Sequence, residues 1–141
     1  MRRRDEHGSA LLLIPATVVV LLVLGAIAVD SAVVLLAERE LSAAAAAAAN
    51  DGATVGMDDA AFYATGAVVI DDGRAEAAAR AAIAARRIEG VELGRTLVAV
   101  DGDRLTVDLE GEVRLIFAAA IPGVRHRARV RSRATAHAEE R

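Results

Sequence analysis

Residues 8–29 read GSALLLIPATVVVLLVLGAIAV, a run of 22 positions without one charged side chain. As a helix that run is about 33 Å long, enough for a hydrocarbon core of about 30 Å. Pro15 falls in its first two turns, where a missing N–H does least damage. Arg2, Arg3 and Arg4 precede it and acids dominate its far side, which predicts a cytoplasmic N-terminus and an extracytoplasmic remainder. The chain therefore divides into a charged leader (1–8), a transmembrane segment (9–37) and an extracytoplasmic α+β domain (38–141). A single-pass protein of the cell membrane is expected, with the membrane itself as one partner.

The helix does not stop where the charges begin. Residues 30–49 continue as DSAVVLLAERELSAAAAAAA, with no Gly or Pro and seven consecutive alanines, the residue of highest helix propensity. Asn50-Asp51-Gly52 reads as the stop, with Gly52 taking a left-handed C-terminal position. One helix of about forty residues results, roughly 60 Å long, its first half in lipid and its second half projecting outward. The alternative for the same stretch is a signal peptide. Ala26-Ile27-Ala28 has the small-x-small form of a cleavage site, and a cut there would release a secreted binding protein. The apolar run is longer than the usual h-region of about 7–15 residues and resumes beyond the site, which favours a retained span.

Composition narrows the chemistry. The chain has 141 residues, 55% hydrophobic and only 2% aromatic, and no cysteine, so disulfides, thiolate nucleophiles and cysteine metal sites are excluded. Alanine, about a quarter of the chain, brings little area to a core. The net charge of −3 conceals an asymmetry: residues 38–112 hold 15 acids against 7 arginines, whereas Arg125, Arg127, Arg129, Arg131 and Arg133 put five positive charges into nine residues.

Gly, Asp-Asp and short apolar pieces alternate through residues 53–73, which reads as a connecting loop with a short strand at 67–70. A second helix is expected over 74–88: Asp71 and Asp72 precede its positive end, Glu76 and Arg80 pair at i,i+4, and Arg86-Arg87 sit near its negative end. From Val91 the period changes from helix to strand. Asp101-Gly102-Asp103 marks a hairpin; Leu105, Val107 and Leu109 alternate with polar residues, as do Val113, Leu115 and Phe117 after Gly111. Ile121-Pro122-Gly123 turns the chain again, and Val124, His126, Ala128, Val130, Ser132, Ala134 and Ala136 then alternate with the arginines. The pattern gives three or four antiparallel strands with one buried face, and the outer half of the first helix is their nearest cover.

Nothing in the sequence assembles a catalytic constellation. His7, His126 and His137 lack metal-site spacing, the serines lack a base, and the glycines are scattered singly. Asp58-Asp59 and Asp71-Asp72 read as turn and cap chemistry in preference to a calcium site. No enzyme activity, cofactor, metal or small-molecule substrate is expected. An acidic chain whose arginine ladder has no interleaved aromatics gives no reason to expect nucleic acid. The ladder reads as a solvated strand face, with docking onto an acidic partner as its functional alternative. Asp30 ends the uncharged run at the outer interface, and either marks that boundary or meets a neighbouring helix. Gly25, Ala28 and Ala32 form a small-residue stripe around it, suited to a partner helix.

Taken together, Gly8-Ser9-Ala10, Pro15, Val29-Asp30, Arg39, Leu41 and the alanine run ending at Asn50-Asp51-Gly52-Ala53 resemble the TadE/TadG-like family of the tight-adherence (Flp) pilus system, over roughly residues 2–56. The resemblance implies a pilin-like architecture and a membrane-anchored, non-enzymatic accessory component of a pilus or secretion assembly. Partners would be other pilus-assembly or pilin-like subunits, reached through helix packing. It also implies prepilin-type processing between Gly8 and Ser9, although Leu13 stands where that pattern has a glutamate.

Overall fold

The computed structural model describes residues 7–57 and 70–138. Its fold is α+β: helix α1 (His7–Gly56), helix α2 (Asp72–Ala85), and strands β1 (Val91–Asp101), β2 (Arg104–Arg114) and β3 (Arg127–His137). The strands form one antiparallel sheet in the order β1-β2-β3. β2 is central, and every odd-numbered position from Leu105 to Val113 is buried. β3 keeps strict alternation, with Val130 and Ala136 buried and the arginines exposed on the opposite face.

A helix of 50 residues is about 75 Å long. The apolar side chains of its first half, Leu13 to Val29, are exposed, and an 18-residue window there has a mean hydropathy of 2.8. It is long and apolar enough to cross a membrane. From Ala37 one face becomes core: Leu41, Ala44, Ala45, Ala48, Ala49 and Ala53 are buried against β2, β3 and α2. The alanine run is therefore largely consumed inside the chain's own domain.

Gly52 was expected to end α1 in a left-handed conformation, but the helix continues to Gly56 and Gly52 has no positive φ. The reason lies in packing. A Cβ on Gly52 would overlap Leu105 Cδ2 and stand 2.9 Å from the Ala75 carbonyl oxygen; one on Gly56 would stand 2.5 Å from Ala75 Cβ. Gly52 and Gly56, one turn apart, thus face Ala75 and Ala79, also one turn apart, so two helix backbones approach where no side chain fits. α2 begins at Asp72, with the Asp71 carboxylate accepting the Arg74 N–H at 2.7 Å as N-cap. At its other end, Arg86 Nη1 donates to the Ala43 carbonyl of α1 at 3.0 Å.

The expected loop over 53–73 is partly helical. Asp58-Asp59 and residues 67–69 of the expected short strand lie outside the described residues; Ile70 pairs with Met57 in an isolated antiparallel bridge. The hairpin at Gly102-Asp103 is as expected, with Gly102 at φ +65° in the first turn position, where an L side chain is disfavoured. Gly111 lies inside β2. Opposite it β1 carries a bulge between Leu93 and Thr96, and a Cβ on Gly111 would come 2.5 Å from Val91 Cγ1. The sheet has three strands because β2 runs through Gly111 and ends at Arg114, before Leu115 and Phe117.

Replacing Gly52 by alanine should destabilise the full chain in detergent by about 1–3 kcal/mol, although alanine favours a helix by about 1 kcal/mol. Gly25→Ala, with no atom within 4 Å of the added Cβ, should leave the thermal midpoint unchanged or raise it. Equal effects of the two substitutions would remove close packing as the reason for Gly52.

Candidate functional site

Two hydroxyls in the described apolar half of α1, those of Thr17 and Ser31, are satisfied without water. Thr17 Oγ1 donates to the Leu13 carbonyl at 2.8 Å and Ser31 Oγ to the Ile27 carbonyl at 2.7 Å, each one turn back. Hydroxyls satisfied within their own helix suit an apolar solvent. Gly25, Ala28 and Ala32, the expected partner-helix stripe, are exposed, and nothing among the described residues covers them. Gly8 and Ser9, the expected processing site, lie at the start of α1 as described.

Asp30 has a role that its sequence neighbours do not announce. Its Oδ1 accepts the backbone N–H of Ile116 at 2.8 Å and of Phe117 at 2.9 Å, and its Oδ2 accepts that of Ala118 at 2.8 Å. The three donors are consecutive and open the short 3-10 turn Ala118–Ala120, whose first N–H groups have no partner within the turn. Successive backbone N–H groups make a small concave site for an anion, and a carboxylate accepting several of them forms charge-assisted hydrogen bonds. Asp30, expected to mark the boundary or to meet a neighbouring helix, fastens the β2–β3 connection to α1 within its own chain. Both of its oxygens are already engaged there.

The fastened connection is apolar. Ile116 is 59% exposed, Phe117 45%, Ile121 56% and Val124 46%. Its shape is set by Pro122 and Gly123: the Val124 N–H bonds the Ile121 carbonyl, and Gly123 sits at φ +82°, the third position of a type II turn. The Leu115 N–H then bonds the His126 carbonyl at 2.8 Å, closing the loop just beyond the last strand pair, Arg114 with Arg127. The two-residue period predicts Leu115 and Phe117 as strand residues. The triplet Ala118-Ala119-Ala120, which breaks that period, is the signal in the sequence that they are not.

The arginine ladder is largely answered by its own sheet. Arg133 pairs with Asp108 at 2.6 Å and Arg131 with Glu110 at 2.9 Å. Arg127 reaches Glu92 at 2.9 Å and Glu112 at 3.5 Å. The register explains the first two pairs, because Asp108 and Glu110 on β2 stand directly opposite Arg133 and Arg131 on β3. Each exposed pair is worth about 0–1 kcal/mol, so the ladder sets register and solubility more than stability. Among the described residues Arg125 and Arg129 have no carboxylate within ion-pair distance, which leaves these two for outside contacts. The hollows on this face are open and lined by charged groups, among them Glu92, Arg95, Glu110, Glu112, Arg129 and Arg131. His126 and His137 lie at opposite ends of the β3 region, and no three His, Asp or Glu side chains converge among the described residues.

Asp30→Ala should free the loop. Hydrogen exchange at the amides of Ile116, Phe117 and Ala118 should accelerate several-fold, while β2 amides near Val107 keep their protection. Asp30→Asn, which retains one acceptor oxygen, should give an intermediate result. Unchanged exchange in both variants would show that the loop is held by its turn alone.

No protein-family model, curated protein or solved structure matches this chain.

Proposed function

We propose that this protein is a membrane-anchored, non-enzymatic accessory component of a tight-adherence (Flp) type pilus or secretion assembly, comparable to a minor pilin. The observation that carries the reading is the unbroken passage of α1 from an exposed apolar half into an alanine-rich half covered by an antiparallel sheet. That is the arrangement implied by the family which residues 2–56 resemble. The helix acts as anchor and stem, and the domain on it is presented at a fixed height above the bilayer. The N-terminus lies in the cytoplasm and residues beyond 37 lie outside. Partner subunits meet the chain through helix packing, and no turnover is required of any side chain.

Release of the domain by cleavage near Ala28 is the competing reading, and Asp30 bears on it. A cut after Ala28 would leave Asp30 as the second residue of a new N-terminus, whose α-amino charge would compete with the three N–H groups for the carboxylate. Mass spectrometry of the protein recovered from its native membrane separates the two. An intact Met1, or a start at Ser9, is expected; a start at Val29 would overturn the anchored reading.

The helix-packing part has its own test. Gly25, Ala28 and Ala32 permit close approach of a second helix in lipid. Replacing Ala28 and Ala32 together by leucine should reduce co-purification with pilus-assembly proteins several-fold while membrane insertion is unchanged. Undiminished co-purification would clear this stripe of any partner role.

A further inference from the structure

α1 and β2 run side by side in opposite directions. Gly52 of α1 lies against Leu105 at the start of β2, and Asp30 holds Ile116, two residues past its end. The 22 helical steps from Asp30 to Gly52 cover about 33 Å, and the 11 extended steps from Leu105 to Ile116 cover about 36 Å. The domain therefore has a distal end, at the Gly102 hairpin, and a proximal end, at the β2–β3 connection. That connection sits at the level where the uncharged run of α1 finishes.

The two ends differ in chemistry. Distal positions carry Asp51, Asp71, Asp72, Asp101 and Asp103, drawn together by the Ile70 N–H to Gly102 carbonyl and Asp71 N–H to Gly56 carbonyl bonds. The proximal connection carries the exposed Ile116, Phe117, Ile121 and Val124, flanked by exposed Arg114 and Arg125. No acid occurs between Glu112 and Glu139. The exposed apolar surface of α1 also does not end at Asp30: Leu35 and Leu36 are still exposed, and charge resumes only at Glu38. Asp30 and the loop it holds thus fall inside the interfacial layer that this surface defines.

We propose that the β2–β3 connection is a second membrane contact. Ile116, Phe117, Ile121 and Val124 enter the boundary between headgroups and acyl chains of the leaflet from which α1 emerges, and Arg114 and Arg125 meet lipid phosphates. Apolar side chains beside basic ones are the composition of an interfacial segment. Asp30 supplies the fixed geometry, since its hydrogen bonds hold the loop against α1 at one depth. The contact rests on α1 spanning the bilayer, and it sets the domain upright on its stem.

The chain lacks cysteine, so single cysteines can report depth. Phe117→Cys, Ile121→Cys, Asp103→Cys and Ile27→Cys are made separately in the full chain. Each is labelled with an environment-sensitive fluorophore and reconstituted in vesicles of phosphatidylethanolamine and phosphatidylglycerol. Labels at 117 and 121 should be quenched by brominated acyl chains and shielded from aqueous iodide, with a lipid-to-iodide quenching ratio several-fold above that at 103. The label at 27 should report lipid throughout. Iodide quenching at 117 and 121 equal to that at 103, with 27 still in lipid, overturns the second contact and leaves the span intact. Iodide quenching at 27 as well overturns the span, and the contact with it. Labels at 117 and 121 shielded from both quenchers indicate a covering protein surface and also overturn the proposal.

Discussion

Among the described residues, the domain beyond residue 57 has no closed core without the outer half of α1. The sheet contributes Leu105, Val107, Leu109, Val113 and Val130, and α2 contributes two alanines and Ile83; what lies between them is one helix face. Among the described residues Leu41 is the only large side chain that α1 buries completely, and its other buried positions there are alanine and glycine. Small residues bring little transfer free energy each, but they let backbone and sheet come close enough for dispersion contacts to accumulate. The cost of such packing is intolerance of added volume, because interiors are close-packed and a single methyl group at Gly52 or Gly56 meets backbone atoms.

This constraint explains what could and could not be read from the chain. The apolar run, the hairpin at Gly102 and the alternation of β3 were legible because each depends on local period and turn chemistry. The end of α1 was not. Asn50-Asp51-Gly52 has the composition of a helix terminus, and only the presence of Ala75, Ala79 and Leu105 across the interface shows that Gly52 is there for lack of a side chain. The same residue type serves conformational freedom at Gly102 and close approach at Gly52, and the two uses look alike in one dimension. Gly111 repeats the lesson inside β2, where the approach of Val91 across the β1 bulge is what excludes a Cβ.

Asp30 illustrates a different limit. That it was unusual was plain, since it ends an uncharged run of 22 residues. Its partners lie 86 to 88 positions away and are backbone N–H groups, which carry no residue-type signal. By contrast, the partners of the arginine ladder were in view as the alternating acids of β2, Asp108, Glu110 and Glu112. Once Arg131 and Arg133 are matched to acids across the register, a surface that reads as strongly basic in sequence becomes a mixed, mostly neutralised sheet face. Charge counted along a strand overstates the field that a partner would meet.

The two attachments of the sheet to α1 lie at opposite ends of β2, and they differ in kind. At the distal end contact is made by shape, through glycines and alanines that tolerate no change of size. At the proximal end it is made by charge and hydrogen bonds, through a carboxylate that fits three consecutive N–H groups. A strand held at only one end could swing about that point, whereas holding it at both leaves neither tilt nor slippage along the helix free. Rotation or vertical displacement of α1 must therefore carry the sheet with it as one body. For a stem whose proposed partners lie in or near the membrane, that coupling lets helix packing in the bilayer decide which face of the domain is presented above it.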